Sequence, residues 1–296
     1  MGLAAYTVSP DSVWVLQVSF FLLGACMGSF LNVCIDRIPN NQSVIRPPSS
    51  CQCGRNLAWY EMVPLLSWLF LRGKARCCGD SLTARYPLVE LMTGLLFVGS
   101  WELLAPVPAL IGMGFGFMLL GAAFIDGKYF IIPDGFSIGL MGAGIGLSFG
   151  FPELHGYAGS SGLFLIDSLR SGFTAIIGTI VGSGTILWVG LLGEKVFKKE
   201  AMGMGDVKLL GGIGAFCGWE GALFSLLGGA ILGTVLLVPW CILQLFLKKE
   251  ASSYALRMAA PVPFGPMLAA AALLYYLLLQ SWVDAYFMQF QSGIFR

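Results

Sequence analysis

The sequence predicts an all-α polytopic membrane protein of about eight transmembrane helices, with a small cytoplasmic Cys-containing domain between spans one and two. Three observations predict this class. Of 296 residues, 57% are hydrophobic and only 11% are charged, whereas soluble domains carry about 25% charged residues. Uncharged runs long enough to cross a bilayer recur along the chain. The Lys and Arg residues fall almost entirely on one side of those runs.

The runs come in order. Twenty-four uncharged residues lie between Asp11 and Asp36. No positive n-region precedes them, so they read as a retained helix. A polar section rich in Pro, Ser, Arg and Cys follows, from Arg37 to Arg85. Span two covers Pro87 to Trp101, with Glu90 near its start. Leu103–Ile125 gives 23 uncharged residues, Gly135–Pro152 gives 18 and Ser171–Gly193 gives 23. Leu209–Leu247 holds 39 residues interrupted only by Glu220, too long for one span and enough for a tight hairpin of two. Met258–Val283 adds 26. The domains expected are a first helix at 1–35, a cytoplasmic Cys-containing domain at 36–86 and a membrane-embedded domain of about seven helices at 87–296.

Charge placement supports eight spans with both termini outside. In that topology 15 of the 17 Lys and Arg residues lie inside, leaving Arg170 and Arg296 outside. A seven-span chain loses the asymmetry at Lys248, Lys249 and Arg257. Span six is the weak point. Only 11 uncharged residues separate Lys208 from Glu220, about 16 Å of helix against a bilayer core of about 30 Å.

The catalytic vocabulary is narrow. The one histidine, His155, lies in a loop and reads as an ordinary loop residue. It cannot form a His-Glu-x-x-His zinc site. The net charge of +1 says nothing about partners, and no basic tract points to nucleic acid, which is not an expected partner. Two aspartates stand out instead. Asp126 ends span three and Asp206 begins span six, both on the inner face at similar depth. Asp206 sits in Gly203-Met-Gly-Asp206, where the flanking Gly203 and Gly205 let a peptide or a second backbone approach closely. Taken alone, Asp206 reads as the N-cap of a helix beginning at Val207. Asp134, after Pro133, reads as a cap of span four. Lys208 and Glu90 are supporting candidates, Glu90 through a pair with Arg85 or Lys128.

Cys51-Gln-Cys53 and Cys77-Cys78 are two close pairs with 23 residues between them. Disulfides are rare in a reducing cytoplasm, so four thiolates there suggest one structural zinc. The adjacent Cys77 and Cys78 reach one tetrahedral ion only with strain. Cys26, Cys34, Cys217 and Cys241 read as packing residues.

Six motifs then line up. They are Gly28-Ser-Phe-Leu-Asn-Val-Cys-Ile-Asp-Arg-Ile-Pro39, Leu57-Ala-Trp-Tyr-Glu-Met-Val-Pro-Leu-Leu-Ser-Trp68 and Ala84-Arg-Tyr-Pro-Leu-Val-Glu90. Ile125-Asp126 with Ile132-Pro133-Asp134, Gly203-Met-Gly-Asp206-Val-Lys208 and Pro263-Phe-Gly-Pro266 complete them. Their order and content resemble the bacterial type IV prepilin peptidases over nearly the whole chain. The resemblance implies an inner-membrane aspartyl peptidase of the Gly-x-Gly-Asp type, with Asp126 and Asp206 catalytic. It implies prepilin or type II secretion pseudopilin substrates, and N-methylation of the new N-terminus with S-adenosylmethionine. The family's cytoplasmic motif is a pair of Cys-x-x-Cys units, from which Cys-x-Cys and Cys-Cys depart.

Two carboxylates cut a peptide when one is ionised and activates water while the other, protonated, holds the carbonyl oxygen. Helix ends alone put the shared proton on Asp126, at a C-terminus, rather than on Asp206, at an N-terminus. The competing readings are a transporter or proton channel with Asp126, Asp206 and Glu90 as a relay, and a membrane scaffold. A relay fits inverted repeats, and the sequence has none.

Overall fold

A computed structural model describes residues 10–51, 53–198, 202–247 and 263–294. The expected inner positions of Lys199, Lys248, Lys249 and Arg257, and the outer one of Arg296, lie outside the described residues. The chain divides into two compact units, Met1–Phe117 and Met118–Arg296. The described residues are almost wholly helical, with isolated bridges at Ser50–Asn56 and Lys74–Ser81.

In the first unit, α1 (Pro10–Arg37) and α3 (Arg85–Leu103) pack antiparallel. At one end Phe20 stacks on Trp101 at 4.4 Å, and Gln17 Nε2 donates to Glu102 Oε1 at 3.1 Å. At the other, Asn32 Nδ2 donates to the Tyr86 carbonyl and Arg85 pairs with Asp36 at 2.6 Å. Leu31, Ile35, Val89 and Phe97 fill the seam. Cys34 is buried as expected, whereas Cys26 is exposed. Between these helices runs the cysteine-bearing segment, with two 3-10 turns at Ile38–Asn40 and Trp59–Met62 and one short α-helix, α2 (Leu66–Phe70).

The second unit holds the end of α4 (Pro106–Tyr129), then α5 (Asp134–Gly150), α6 (Phe164–Phe197) and α7 (Met204–Leu247). It closes with α8 (Gly265–Leu274), a π-helical turn (Tyr275–Leu279) and α9 (Gln280–Ile294). α6 begins seven residues before the expected span. Asp167 in its first turn accepts from Ser160 Oγ at 2.8 Å and from the Ser161 backbone at 3.0 Å, so the charge does not stop the helix.

The long 209–247 run bends back at Gly218, whose φ of 69° and ψ of −177° are not helical. Leu210 and Ala222 would stand about 18 Å apart on one straight helix. A Cβ built on Gly182 meets the Leu210 carbonyl at 2.6 Å and Ala222 Cβ at 3.3 Å, so the chain has reversed between them. The first arm, 204–217, is about 21 Å long. Span six is therefore short, with Glu220 just past the turn. By length and composition five helices can cross a membrane: Val13–Asn40, Pro106–Tyr129, Phe164–Val196, Met204–Leu236 and Gly265–Gln289. Adding α3, the 17-residue α5 and the division of α7 at Gly218 makes eight apolar helical segments among the described residues. The protein is a multi-pass membrane protein.

Candidate active site and cysteine cluster

Asp126 lies in the last turn of α4, where Phe130 ends the helix with φ 56°. Its carboxylate is buried. Oδ2 accepts the Gly265 backbone N–H at 2.9 Å. Gly265 opens α8, and the first N–H groups of a helix have no partner within it, so a carboxylate is a natural acceptor there. A Cβ at Gly265 would lie 2.8 Å from Asp126 Oδ2 and 3.2 Å from Ile132 Cδ1. Only glycine lets this backbone reach the carboxylate.

Asp206 enters from α7. It is the third residue of that helix, and its backbone N–H bonds the Gly203 carbonyl at 3.1 Å. It therefore does not cap a helix starting at Val207. Gly203 holds the capping position, because the helix begins two residues before the aspartate. Gly205, the residue before Asp206, and Gly265, whose N–H meets Asp126, both pack on Ile132, which draws the two aspartates to one place. Ile132 spans the gap on the apolar side, with Cβ 3.0 Å from where a Cβ on Gly205 would stand. The end of α4, the 130–133 connection, the start of α7 and the start of α8 thus converge on two carboxylates. The helix-end asymmetry expected from sequence is reduced, since Asp126, at the negative end of α4, also faces the positive end of α8, while Asp206 keeps the positive end of α7.

The supporting candidates sort differently. Lys208 Nζ donates to Asp134 Oδ1 at 2.6 Å, tying the start of α7 to the start of α5. Asp134 opens α5 without a side-chain cap bond, so ion pairing is its role in place of capping. Glu90 does not pair with Arg85, which is bound to Asp36. Buried in the first unit, Glu90 accepts the Leu65 N–H at 2.7 Å. Leu65 has φ 61° and ψ −50°, and Leu66 N–H bonds the Pro64 carbonyl at 2.6 Å. That is a γ-turn of the rare, strained kind, which Glu90 holds against α3. Lys128 stands over the Tyr129 ring at 4.7 Å. Sequence reasoning gave no role to Ile132 or Gly265. The signal was present in Ile132-Pro133 and Gly265-Pro266, since Pro near a helix start marks where backbone N–H groups are free.

His155 is no ordinary loop residue. Its Nε2 lies 3.1 Å from Ser148 Oγ, and the ring also hydrogen-bonds the backbone of Ala215. The break at Gly218 leaves the last carbonyls of the first α7 arm without helical partners, and His155 serves one of them. Burial pushes its imidazole from the ordinary 6.5 down to about 4.

In the first unit the four cysteines come together. Cys51 Sγ lies 3.5 Å from Cys78 Sγ, Cys53 Sγ 3.3 Å from Cys77 Sγ, and the adjacent Cys77 and Cys78 sulfurs are 3.9 Å apart. All four lie within 4.8 Å of one another. With Zn–S of about 2.3 Å, a tetrahedral site has sulfur–sulfur edges of about 3.8 Å, so the set fits zinc and Cys77–Cys78 sits at an ordinary edge length. Each pair rides on a turn closed by one of the two bridges and ended by a glycine at positive φ, Gly54 at 85° and Gly79 at 76°. The Cys53 backbone, followed by the Cys77 and Cys78 thiols, brings Cys51 down to about 7, while the contact with Cys51 pushes Cys77 up, so Cys51 is the first of the set to ionise. Glu61 braces the first turn, accepting from Arg55 Nη2 at 2.6 Å and from the Ala58 N–H at 2.9 Å.

Two family models match the chain. Residues 22–103 fit the bacterial peptidase A24 N-terminal domain, and residues 113–238 fit the type IV leader peptidase family. A prepilin leader peptidase/N-methyltransferase of Klebsiella pneumoniae is 37% identical over 68% of this chain and 84% of its own length. The chain belongs to the type IV leader peptidase family. Relatives of the same printed name in Myxococcus xanthus and Dickeya chrysanthemi are 41% and 30% identical. The matches cover 76% and 92% of this chain, and 64% and 95% of those relatives. No solved structure gives a significant match. The family-model boundaries divide the molecule by chemistry as well. The cysteine set and Glu90 fall in the N-terminal match, Asp126 and Asp206 in the peptidase match.

Proposed function

We propose that this peptidase cleaves the basic leader from type IV prepilins or type II secretion pseudopilins, with Asp126 and Asp206 as a shared-proton dyad. The convergence of Asp126 and Asp206 from α4 and α7, under the N-terminus of α8, carries the reading. The ionised aspartate removes a proton from water as the oxygen attacks the scissile carbonyl. The protonated partner hydrogen-bonds the carbonyl oxygen and then gives its proton to the leaving amine. Like charges this close do not both ionise cheaply, so one proton stays in the active site. Gly203 leaves the approach to Asp206 without side-chain bulk, and Gly205 lets Ile132 pack against the start of α7. The backbone N–H of Gly265 fixes the Asp126 carboxylate.

Zinc in the Cys51, Cys53, Cys77 and Cys78 set is structural in this reading, joining two turns that share little core. N-methylation of the new N-terminus, with S-adenosylmethionine as methyl donor, rests on the relatives' printed names, and no residue of this chain is assigned to the donor. The enzyme resides in the bacterial inner membrane, both termini outside and the cysteine segment inside. A relay of Asp126, Asp206 and Glu90 is disfavoured, because Glu90 is committed to the Leu65 N–H. The test is cleavage of a prepilin-like peptide by the protein purified in detergent. Wild type should cut once, before the apolar segment, and Asp126→Asn and Asp206→Asn should not cut. Wild-type turnover by Asp126→Asn would show the dyad to be misassigned.

A further inference from the structure

α8 packs antiparallel on the second arm of α7. A Cβ built on Gly228 meets Ala271, one on Gly229 meets Leu268, and one on Gly233 meets Met267. Where the two helices part, toward the N-terminus of α8, they leave a groove of about 360 Å³. Ala230, Gly233 and Thr234 form its α7 wall, at the spacing of one helix face. Pro263, Phe264 and Met267 form the other. No charged side chain lines it among the described residues. Thr234 Oγ1 turns back to the Ala230 carbonyl at 2.8 Å, so its hydroxyl is already satisfied. The groove adjoins the carboxylates, because Phe264 in its wall precedes Gly265, whose N–H meets Asp126 Oδ2 at 2.9 Å.

We infer that this groove seats the bulky apolar side chain of the substrate immediately after the cut bond, and that Ala230, Thr234 and Met267 set the preference for it. The inference rests on the peptidase reading above. Phe264 is one residue from the N–H that holds Asp126, so a peptide drawn across Asp126 would meet the Phe264 wall beside it. A basic leader side chain would leave water for a surface that offers it no acceptor, which costs free energy. An apolar side chain gains from the same transfer. The groove therefore takes the segment after the cut and leaves the leader in solvent.

The test uses two peptides that differ only after the cut, one with Phe and Leu there and one with Ala. Ala230→Leu and Thr234→Leu fill the groove at exposed positions, and Met267→Ala widens it. Apolar pockets discriminate by about 10–200-fold per methylene-sized change. Each filling variant should therefore cut the bulky-over-small ratio of kcat/KM by about tenfold or more, chiefly through KM. Met267→Ala should shift the same ratio the other way, toward the bulky peptide. An unchanged ratio in all three variants overturns the inference, and is the result expected if a lipid chain occupies the groove instead. A second arm needs no turnover. The dissociation constant of the bulky peptide is measured on Asp126→Asn with and without Ala230→Leu, with weakening by about tenfold expected and equal values overturning the groove. Failure of wild type to cut either peptide counts against the peptidase reading alone, since the binding arm still decides the groove.

Discussion

The cysteine cluster and the aspartate pair are two candidate centres built by opposite means. The cysteines lie on two tight turns, each closed by one bridge and one left-handed glycine, and the ligand pairs do most of the joining. The aspartates come from helices 80 residues apart in sequence, and Asp126 is held by a backbone N–H 139 residues away. With zinc bound as proposed, the first centre would depend on its ion, whereas the second depends on helix packing. Local turn chemistry is readable from neighbouring residues, whereas convergence of distant helix ends is not. That is why the sequence shows the cysteine pairs directly, and the aspartates without the third helix, α8, that meets them.

The contrast can be broken in five places. The largest effect should come from Asp126→Asn and Asp206→Asn, each lowering cleavage by about 10²–10⁴-fold or more with the thermal midpoint nearly unchanged. Cys77→Ser with Cys78→Ser should take bound zinc from about one per chain to none and expose 46–82 to proteolysis. Metal content unchanged by elemental analysis would remove zinc from the account. Gly265→Ala puts a methyl 2.8 Å from Asp126 Oδ2, so about a hundredfold loss of kcat is expected from misplacement by about 1 Å. Full activity would mean that the α8 contact does not position the carboxylate.

The fourth test addresses the far end of the α7 hairpin. The folded pKa of His155 lies below its unfolded value, so the unfolded chain takes up the proton first as pH falls. Stability contributed by neutral His155 is full above about pH 6.5 and drains away down to about pH 4. Since the ring keeps part of its surface exposed, the loss stays below about 3 kcal/mol. Thermal midpoints between pH 7 and 4 should fall for wild type and be flatter for His155→Gln. The smallest effect belongs to the Lys208–Asp134 pair, whose side chains are 34% and 63% exposed. Asp134→Asn or Lys208→Met should cost only about 0.2–1 kcal/mol and leave substantial cleavage. A loss as deep as that of Asp206→Asn would move Asp134 into the catalytic pair.

Composition and run length determined that this chain spans a membrane and how many helical segments it forms, because the bilayer imposes its thickness on every segment. Motif order pointed to the peptidase family and to Asp126 and Asp206. The partners of the charged residues were decided only by the tertiary structure. Lys208 turned to Asp134, Arg85 to Asp36 and Glu90 to a strained Leu65, and His155 became the cap of a broken helix. In each case a buried or half-buried polar group had to find a partner, and the partner lies on a segment far along the chain. Spacing along the sequence carries no record of which helix ends meet, whereas helix packing does.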